Sequence, residues 1–478
     1  MKNIFITIAL TALSFTIQAQ IVNIPDANFK NALVNLNCVD TDGDEIGDSD
    51  ADTNNDGEIQ VSEAEAIFWL NVGIRNINSL EGIQSFTNLE YLQCDNNSIV
   101  NTDFSQNTNL IYLFCNNNLL TTLDITNNPN LVFLYAWDNQ LSNLDVTQNI
   151  LLEKLYVQRN QMSNLDVTEN ANLIHLWIDD NQFTDIDVTQ NSNLERLFTF
   201  RNPLTSLDVT QNANLRILFC GENQLSTLDI TQNLNLEELA CEDNLLTNLN
   251  VTQNPNLIKV WCYLNQLSEL DVTQNPNIDY ISCSDNSINS LNVSQNENLA
   301  QLYCWNNQLI NLDLGQNSNL QTLWCFDNQL INLNIKNTNN TNITSMLSYN
   351  NPDLFCIQVD DIAYANNQIC DQPNNDGWCK DSTAMYNELC VLGITEFVSQ
   401  NQFSIYPNPM ETKLHIINSG EDEIISIQIY NTLGERVFIE QHQFYELDVS
   451  QLTNGLYLIN IVTKDYTLTK KLIKKDRG

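Results

Sequence analysis

The chain has 478 residues, with 19 Lys+Arg against 59 Asp+Glu and a net charge of −40. Only 16% of residues are charged and Asn alone supplies 77, so the imbalance reflects scarce bases rather than dense acid. Such acidity argues against nucleic acid or an anionic membrane as partner, three histidines leave little room for His-rich metal catalysis, and the Asn excess points to a repeat.

Lys2, the apolar run from Ile4 to Ile17 and the small Ala19 predict a secretory signal peptide over residues 1–20, cleaved near Ala19 or Gln20. That run is short and rich in Thr and Ser, and no later segment approaches 18 apolar residues, so no transmembrane span is expected. The expected location is secreted or at the outer cell surface. Residues 21–76 read as an N-terminal cap, with helices expected over 29–36 and 62–70. Between them, residues 52–63 fit the twelve-residue EF-hand loop. Asp52, Asn54 and Asp56 supply side-chain oxygens, Glu58 its carbonyl, and Glu63 a bidentate carboxylate, while Gly57 permits the turn. The expected cofactor is a structural Ca2+ ion. Asp40, Asp42, Asp44 and Asp48 form a weaker acidic run and a second candidate. The stretch Ile24-Pro25-Asp26-Ala27-Asn28-Phe29, with this loop, resembles the N-terminal cap of secreted bacterial repeat proteins.

Leu or Ile then recurs at 89, 110, 131, 152, 173, 194, 215, 236, 257, 278, 299 and 320, with every interval 21 residues. One unit reads Asn-Leu-x-x-Leu-x-Cys-x-x-Asn-x-Leu-x-x-Leu-Asp-(Val/Ile)-Thr-Gln-Asn, as over 214–233 with Ile230. This pattern resembles the leucine-rich repeat family in its short, internalin-like bacterial form, over residues 77–350. The resemblance implies a parallel β solenoid. Elementary geometry agrees, because Leu218 and Cys220 are two apart and share the inward side of a strand while Phe219 points out. Stacked turns join these inward residues into one core. Asn97 through Asn328 and Asn107 through Asn317 form two further columns, expected to satisfy backbone groups at corners. Cys94, Cys115, Cys220, Cys241, Cys262, Cys283, Cys304 and Cys325 share one inward column with Ala136, Val157, Ile178 and Thr199, so inert core thiols are expected there. An Asp column (Asp124, Asp145, Asp166, Asp187, Asp208, Asp229, Asp271, Asp313) admits Asn250, Asn292 and Asn334, which suits a hydrogen-bonding turn rather than a charge requirement.

The outward strand residue is Phe114, Tyr135, Tyr156, Trp177, Phe198, Phe219, Trp261, Tyr303 or Trp324, with Gln93, Ala240 and Ser282 as exceptions. Phe200, Tyr263, Asp179, Glu222 and Glu242 are among its outward neighbours. So extensive an aromatic stripe on a concave face suggests binding of a protein or carbohydrate ligand. Stacking of rings on successive strands would explain the same stripe without any ligand. Both readings stay open.

Residues 351–392 read as a C-terminal cap in which Cys356, Cys370, Cys379 and Cys390 form disulfides. Of three connectivities, the nested 356–390 with 370–379 is preferred; Cys38 is left over. A linker is expected over 393–400. Residues 401–478 carry six short alternating runs that read as a small β-sandwich, immunoglobulin-like in class. Tyr406-Pro407-Asn408-Pro409, Ile429-Tyr430-Asn431-Thr432-Leu433-Gly434, Leu452-Thr453-Asn454-Gly455-Leu456-Tyr457 and Lys470-Lys471-Leu472-Ile473-Lys474-Lys475 resemble the C-terminal sorting domain of bacterial type IX secretion. The resemblance implies engagement of that secretion machinery, then removal of the module or its exchange for a surface anchor. No nucleophile–base constellation accompanies His175, His415 or His442, and the adjacent acids Asp179 and Asp180 read as solvating. The expectation is a mainly β, non-enzymatic surface protein for adhesion or recognition. The alternative is a structural surface scaffold with no discrete ligand.

Overall fold

The computed structural model describes residues 20–44, 46–371, 376–390, 403–418, 423–431, 436–442, 444–464 and 467–475. Most of the signal segment, the linker 393–400 and part of the 429–434 motif lie outside these. The chain divides into two compact units, Met1–Cys390 and Val391–Gly478.

The first unit is a solenoid. Its spine is a 16-stranded sheet that begins at Trp69–Asn71 and adds one three-residue strand per turn from Tyr91–Gln93 onward. From Trp69–Asn71 to Asp376–Cys379 the strands pair in parallel, and within the 21-residue array equivalent residues lie side by side, such as Phe198 with Phe219. The middle residue of each three points inward; Leu155, Leu176, Leu197, Leu218 and Leu239 are all fully buried. Cys94 through Cys325 line the same interior as buried free thiols, and burial pushes Cys115 up to about 12. Removed from water, these thiols stay neutral and unreactive.

Each turn leaves its strand through a left-handed residue. From Asn96 to Asp327 this position keeps φ between 49° and 55°, even where it is Arg159, Glu222 or Leu264. A side chain there costs about 1 kcal/mol, and the Asn that follows offsets it. Asn223 donates through Nδ2 to the carbonyls of Thr199, Cys220 and Gly221, while its Oδ1 accepts from the Leu204 N–H. It thus ties its own loop to the preceding turn. At the second corner Asn212 donates to the carbonyls of Val188 and Asn191, both at 2.9 Å. In the Asp column, Asp145 accepts from both the N–H and the hydroxyl of Thr147, and Asn250 makes the same pair of bonds with Thr252. A turn that Asn closes as well as Asp does not need the charge.

At the N-terminal end, helix Ala27–Asn35 packs Phe29, Ala32 and Leu33 into the core. Asp26 caps it with one oxygen and holds the N–H groups of Asn78 and Ser79 with the other. The helix expected over 62–70 is shorter, Val61–Ala64. Trp69–Asn71 opens the sheet instead, because Leu70 is buried at the end of the stack and Trp69 stacks on Tyr91 at 5.0 Å.

The segment after residue 350 continues the solenoid. Asp376–Cys379 pairs parallel to Ser345–Leu347, and Cys370–Asp371 lies antiparallel beside it as the last strand. A second, four-stranded sheet runs through Asn311–Asp313, Asn332–Asn334, Cys356–Gln358 and Met385–Asn387. Disulfides join Cys356 to Cys390 and Cys370 to Cys379; Cys38 is free and buried.

The second unit holds two antiparallel sheets, one of three strands and one of four, compatible with a β-sandwich. Leu414, Ile427, Ile429, Leu447, Ile459 and Ile461 fill its core. Phe403–Tyr406 is a strand beyond the six expected runs; it pairs with Lys413–Asn418. Among the described residues no helix is long and apolar enough to cross a membrane.

Candidate functional site

The nine aromatic residues singled out above all occupy the third position of a strand and are half-buried. Each covers part of its neighbour. Phe114 meets Tyr135 edge-on at 4.8 Å, Tyr135 stacks on Tyr156 at 4.4 Å, Tyr156 meets Trp177 at 5.6 Å, and Trp177 stacks on Phe198 at 4.8 Å. Phe198 and Phe219 continue the ladder at 5.2 Å, and Tyr303 and Trp324 do so further on, also at 5.2 Å. Such contacts each contribute about 1 kcal/mol beyond area burial. The rings support one another, and their remaining edges and faces form an apolar surface.

The three exceptions in the ladder differ physically. At Gln93 the ring of Tyr91, two residues earlier on the same strand, spans from Trp69 at 5.0 Å to Phe114 at 5.2 Å. At Ser282 the ring of Tyr280 does the same between Trp261 and Tyr303, at 5.0 and 5.4 Å. At Ala240 the equivalent residue is Glu238, whose carboxylate pairs with Lys259 at 3.3 Å. Nothing replaces the missing ring there. Phe219 and Trp261 lean together above Ala240 to a centroid distance of 6.0 Å.

A cleft of about 460 Å³ results, walled by Trp177, Phe198, Phe219 and Trp261 and extended by Phe200 and Tyr263. Gly221 lets two of the lining side chains, Phe200 and Glu242, pack close to the backbone. A Cβ on it would lie 2.6 Å from the Phe200 ring and 2.7 Å from the Glu242 carboxyl carbon. It is the one glycine between Gly82 and Gly315. Asp179 and Glu242 complete the lining. Asp179 accepts from the Phe200 N–H at 2.7 Å and from the Trp177 indole N–H. Glu242 is 7% exposed, and its buried Oε2 has no hydrogen-bond partner. Burial pushes both carboxyls up to about 7. The rim is acidic as well: Arg201 pairs with Glu222 at 3.0 Å and with Asp180 at 3.8 Å, its guanidinium 4.8 Å from the Phe200 ring centroid. Asp179 and Asp180 therefore play unlike roles, one inside the cleft and one in a rim ion pair. The outward aromatic column was legible in the sequence, whereas the cleft depends on two small residues whose significance shows only against their neighbours. His175 lies on the strand of Trp177, two residues before it, with Nδ1 3.0 Å from the hydroxyl of Tyr156 on the preceding strand, and burial lowers its pKa.

In the loop over 52–63, Asp52 accepts from the N–H groups of Asp56 and Gly57, Asn54 from that of Asp56, and Asp56 from that of Glu58. Gly57 takes φ 79°. Glu63 accepts from Gln60 N–H at 2.9 Å, closing a capping box on Val61–Ala64, and its other oxygen accepts from Thr53 and Asn54. Glu58 forms an ion pair with Lys30. Helix Ala27–Asn35 ends well before Asp52, so the loop is not framed by two contiguous helices. The group of three carboxylates whose oxygens lie within 4.8 Å of one another, among the described residues, is Asp40, Asp42 and Asp48.

Comparison with known proteins agrees with this architecture. The functional domain of InlJ from Listeria monocytogenes, which includes a cysteine ladder, superposes with a TM-score of 0.59 at 25% identity, over 96% of this chain and 99% of that one. The array is a leucine-rich repeat solenoid. The Listeria internalin InlF has the same fold at 20% identity and a TM-score of 0.53, over 73% of this chain and 95% of its own. A leucine-rich repeat protein of Leptospira interrogans matches at 26% identity and a TM-score of 0.50, over 56% and 80%. Residues 404–475 match the secretion system C-terminal sorting domain. No curated protein sequence matches significantly.

Proposed function

We propose that this is a surface-displayed, non-enzymatic recognition protein that binds a protein or glycan ligand through the aromatic strand face of its solenoid. The observation that carries the reading is the unbroken run of half-buried rings from Phe114 to Phe219, which leads into an aromatic cleft with two carboxyls inside. Ring edges left open over several strands are the kind of surface that protein hot spots and sugar faces occupy. The test is a triple variant, Trp177→Ser, Phe198→Ser and Phe219→Ser, screened against arrays of glycans and extracellular proteins. Loss of every wild-type signal with an intact circular dichroism spectrum supports the reading; unchanged signals overturn it. The ring-to-ring stacking favours the alternative, a cell-surface scaffold with no discrete ligand, which expects no signal from either protein.

The sorting module supports export through the type IX machinery. Deleting residues 401–478 should leave the protein in the periplasm, and normal display would refute that role. A structural calcium ion at Asp52, Asn54, Asp56, Glu58 and Glu63 is part of the same proposal, since all five offer the hard oxygens this ion prefers. Calcium should raise the melting temperature, and Asp56→Ala should abolish the rise while Asp42→Ala keeps it. Equal melting temperatures with calcium and with chelator would overturn the assignment.

A further inference from the structure

The cleft beside Ala240 combines features that an apolar contact surface does not need. Aromatic stacking alone is satisfied better by a ring at Ala240, as Tyr280 satisfies it at Ser282. Here the ring is missing, and the absent side chain of Gly221 lets the Phe200 ring and the Glu242 carboxyl pack where its Cβ would lie. Into the space so made the chain turns a carboxyl, Glu242, whose Oε2 is buried and without a partner. Leaving such an oxygen unsatisfied costs about 1–3 kcal/mol, so the arrangement is unfavourable until something supplies a positive charge or a donor. The surrounding walls are formed by the rings of Trp177, Phe198, Phe219 and Trp261, and the negative π face of such a ring attracts cations and repels anions.

We infer that this cleft is a cation cage, binding an alkylammonium or guanidinium group of side-chain size between the aromatic walls, with Glu242 and Asp179 as its counter-charges. This deepens the proposed recognition role and rests on it. The volume of about 460 Å³ is too large for a bare metal ion and suits an organic head with its methylene stem. Its rings disfavour a hydrated ion, which would keep its water. The chain's net charge of −40 draws cations toward the surface before any contact forms. The chemistry is shared by two sources, a Lys, methyl-lysine or Arg side chain of a partner protein and a free quaternary amine.

Binding should depend on pH. The charged groups facing the two carboxyls are Asp180 and Arg201 at Asp179 and Glu222 and Asp243 at Glu242, with the neutral Tyr263 and Tyr280 phenols beyond. Burial keeps protons on both cleft carboxyls to about pH 7. A bound cation must displace those protons, so affinity rises from pH 5 to pH 8.

The experiment is calorimetric titration of the full chain with choline, Nα-acetyl-lysine amide, Nα-acetyl-trimethyllysine amide and Nα-acetyl-arginine amide. Their neutral counterparts, 3,3-dimethylbutanol and Nα-acetyl-norleucine amide, serve as controls. At least one cation should bind with a dissociation constant of about 1 mM or tighter, more weakly at pH 5, while the neutral compounds do not bind. Glu242→Gln should weaken the cation about tenfold or more, and Ala240→Phe, which restores the ladder, should abolish binding. Preference for choline over the amino-acid amides would point to a free amine, and the reverse to a partner's side chain; either supports the cage. Equal binding of neutral and charged compounds, no binding of any cation, or full binding by both variants overturns it. If partner capture is lost in the triple variant but kept in Ala240→Phe and Glu242→Gln, the cage fails while the strand-face reading stands. If cations bind but the triple variant keeps all partner capture, the strand-face reading fails by itself.

Discussion

The asparagine columns and the cleft at 221–242 are built on opposite terms. In the columns every turn repeats the same residue and the same bonds. Asn202, Asn223, Asn244 and Asn265 each reach back to a carbonyl of the preceding turn, at 3.0 to 3.1 Å. At the cleft the ring column is interrupted at Ala240, Gly221 has no side chain, and the buried oxygen without a partner belongs to a carboxyl, whereas the unpartnered Oδ1 atoms of the second column, Asn107 to Asn317, belong to neutral amides. The contrast separates what holds the solenoid together from what distinguishes one turn from another. Repetition satisfies the backbone; departure from it makes a site.

Four substitutions sharpen that contrast. The largest effect is expected in a column: Asn212→Ala strips donors from two buried carbonyls and should cost about 3 kcal/mol in urea unfolding. A loss below 1 kcal/mol would mean the columns are dispensable. At the cleft the sign should reverse. Glu242 in the folded chain holds its proton to about pH 7, whereas unfolded it releases it near its ordinary value. The folded state therefore binds more protons across that window, and stability falls as pH rises through it. Glu242→Gln removes this loss, so it should match wild type at pH 4 and exceed it by about 2 kcal/mol at pH 8. Equal stability at both pH values would show that the carboxyl is solvated. Ala240→Phe should stabilise by about 1 kcal/mol if Phe219 and Trp261, which close over the buried Ala240, part to admit the new ring into the ladder; destabilisation would show that the two rings do not yield. Smallest of all, Asp145→Asn should change stability by less than about 0.5 kcal/mol, since Asn250 already makes both bonds of that turn. A larger loss would restore a charge requirement to the column.

Most of the solenoid was legible because its period is invariant: an inward Leu and an inward Cys two apart identify a strand, and a recurrence of 21 places each strand beside the next. The helix expected over 62–70 stopped at Ala64 because the apolar residues after it serve the sheet rather than a helical face, and local pattern does not distinguish the two uses. The strand Phe403–Tyr406 has too short a pattern to predict, being four residues long and running into a proline motif. At the strand face the aromatic column was visible, but its gaps looked alike. Gln93, Ala240 and Ser282 are equally non-aromatic in the sequence, and only the rings of Tyr91 and Tyr280 reveal that two of the gaps are filled. The acids showed the same limit. Asp179, Glu222 and Glu242 are similar letters on one face, yet one carboxyl is bonded to Trp177, one is paired with Arg201, and one is left with a free oxygen.

The strand Cys370–Asp371 has a bearing on crowding. A stack of parallel strands ends in an open edge onto which a second copy could add its own first strand, lengthening into a fibre. Here the last position is two residues long, runs against the direction of the stack and is cross-linked to its neighbour through Cys370 and Cys379. At the other end Val39 bridges to Leu70 in antiparallel sense. Among the described residues neither end of the main sheet offers a matching parallel template, so end-to-end addition of a second copy is disfavoured.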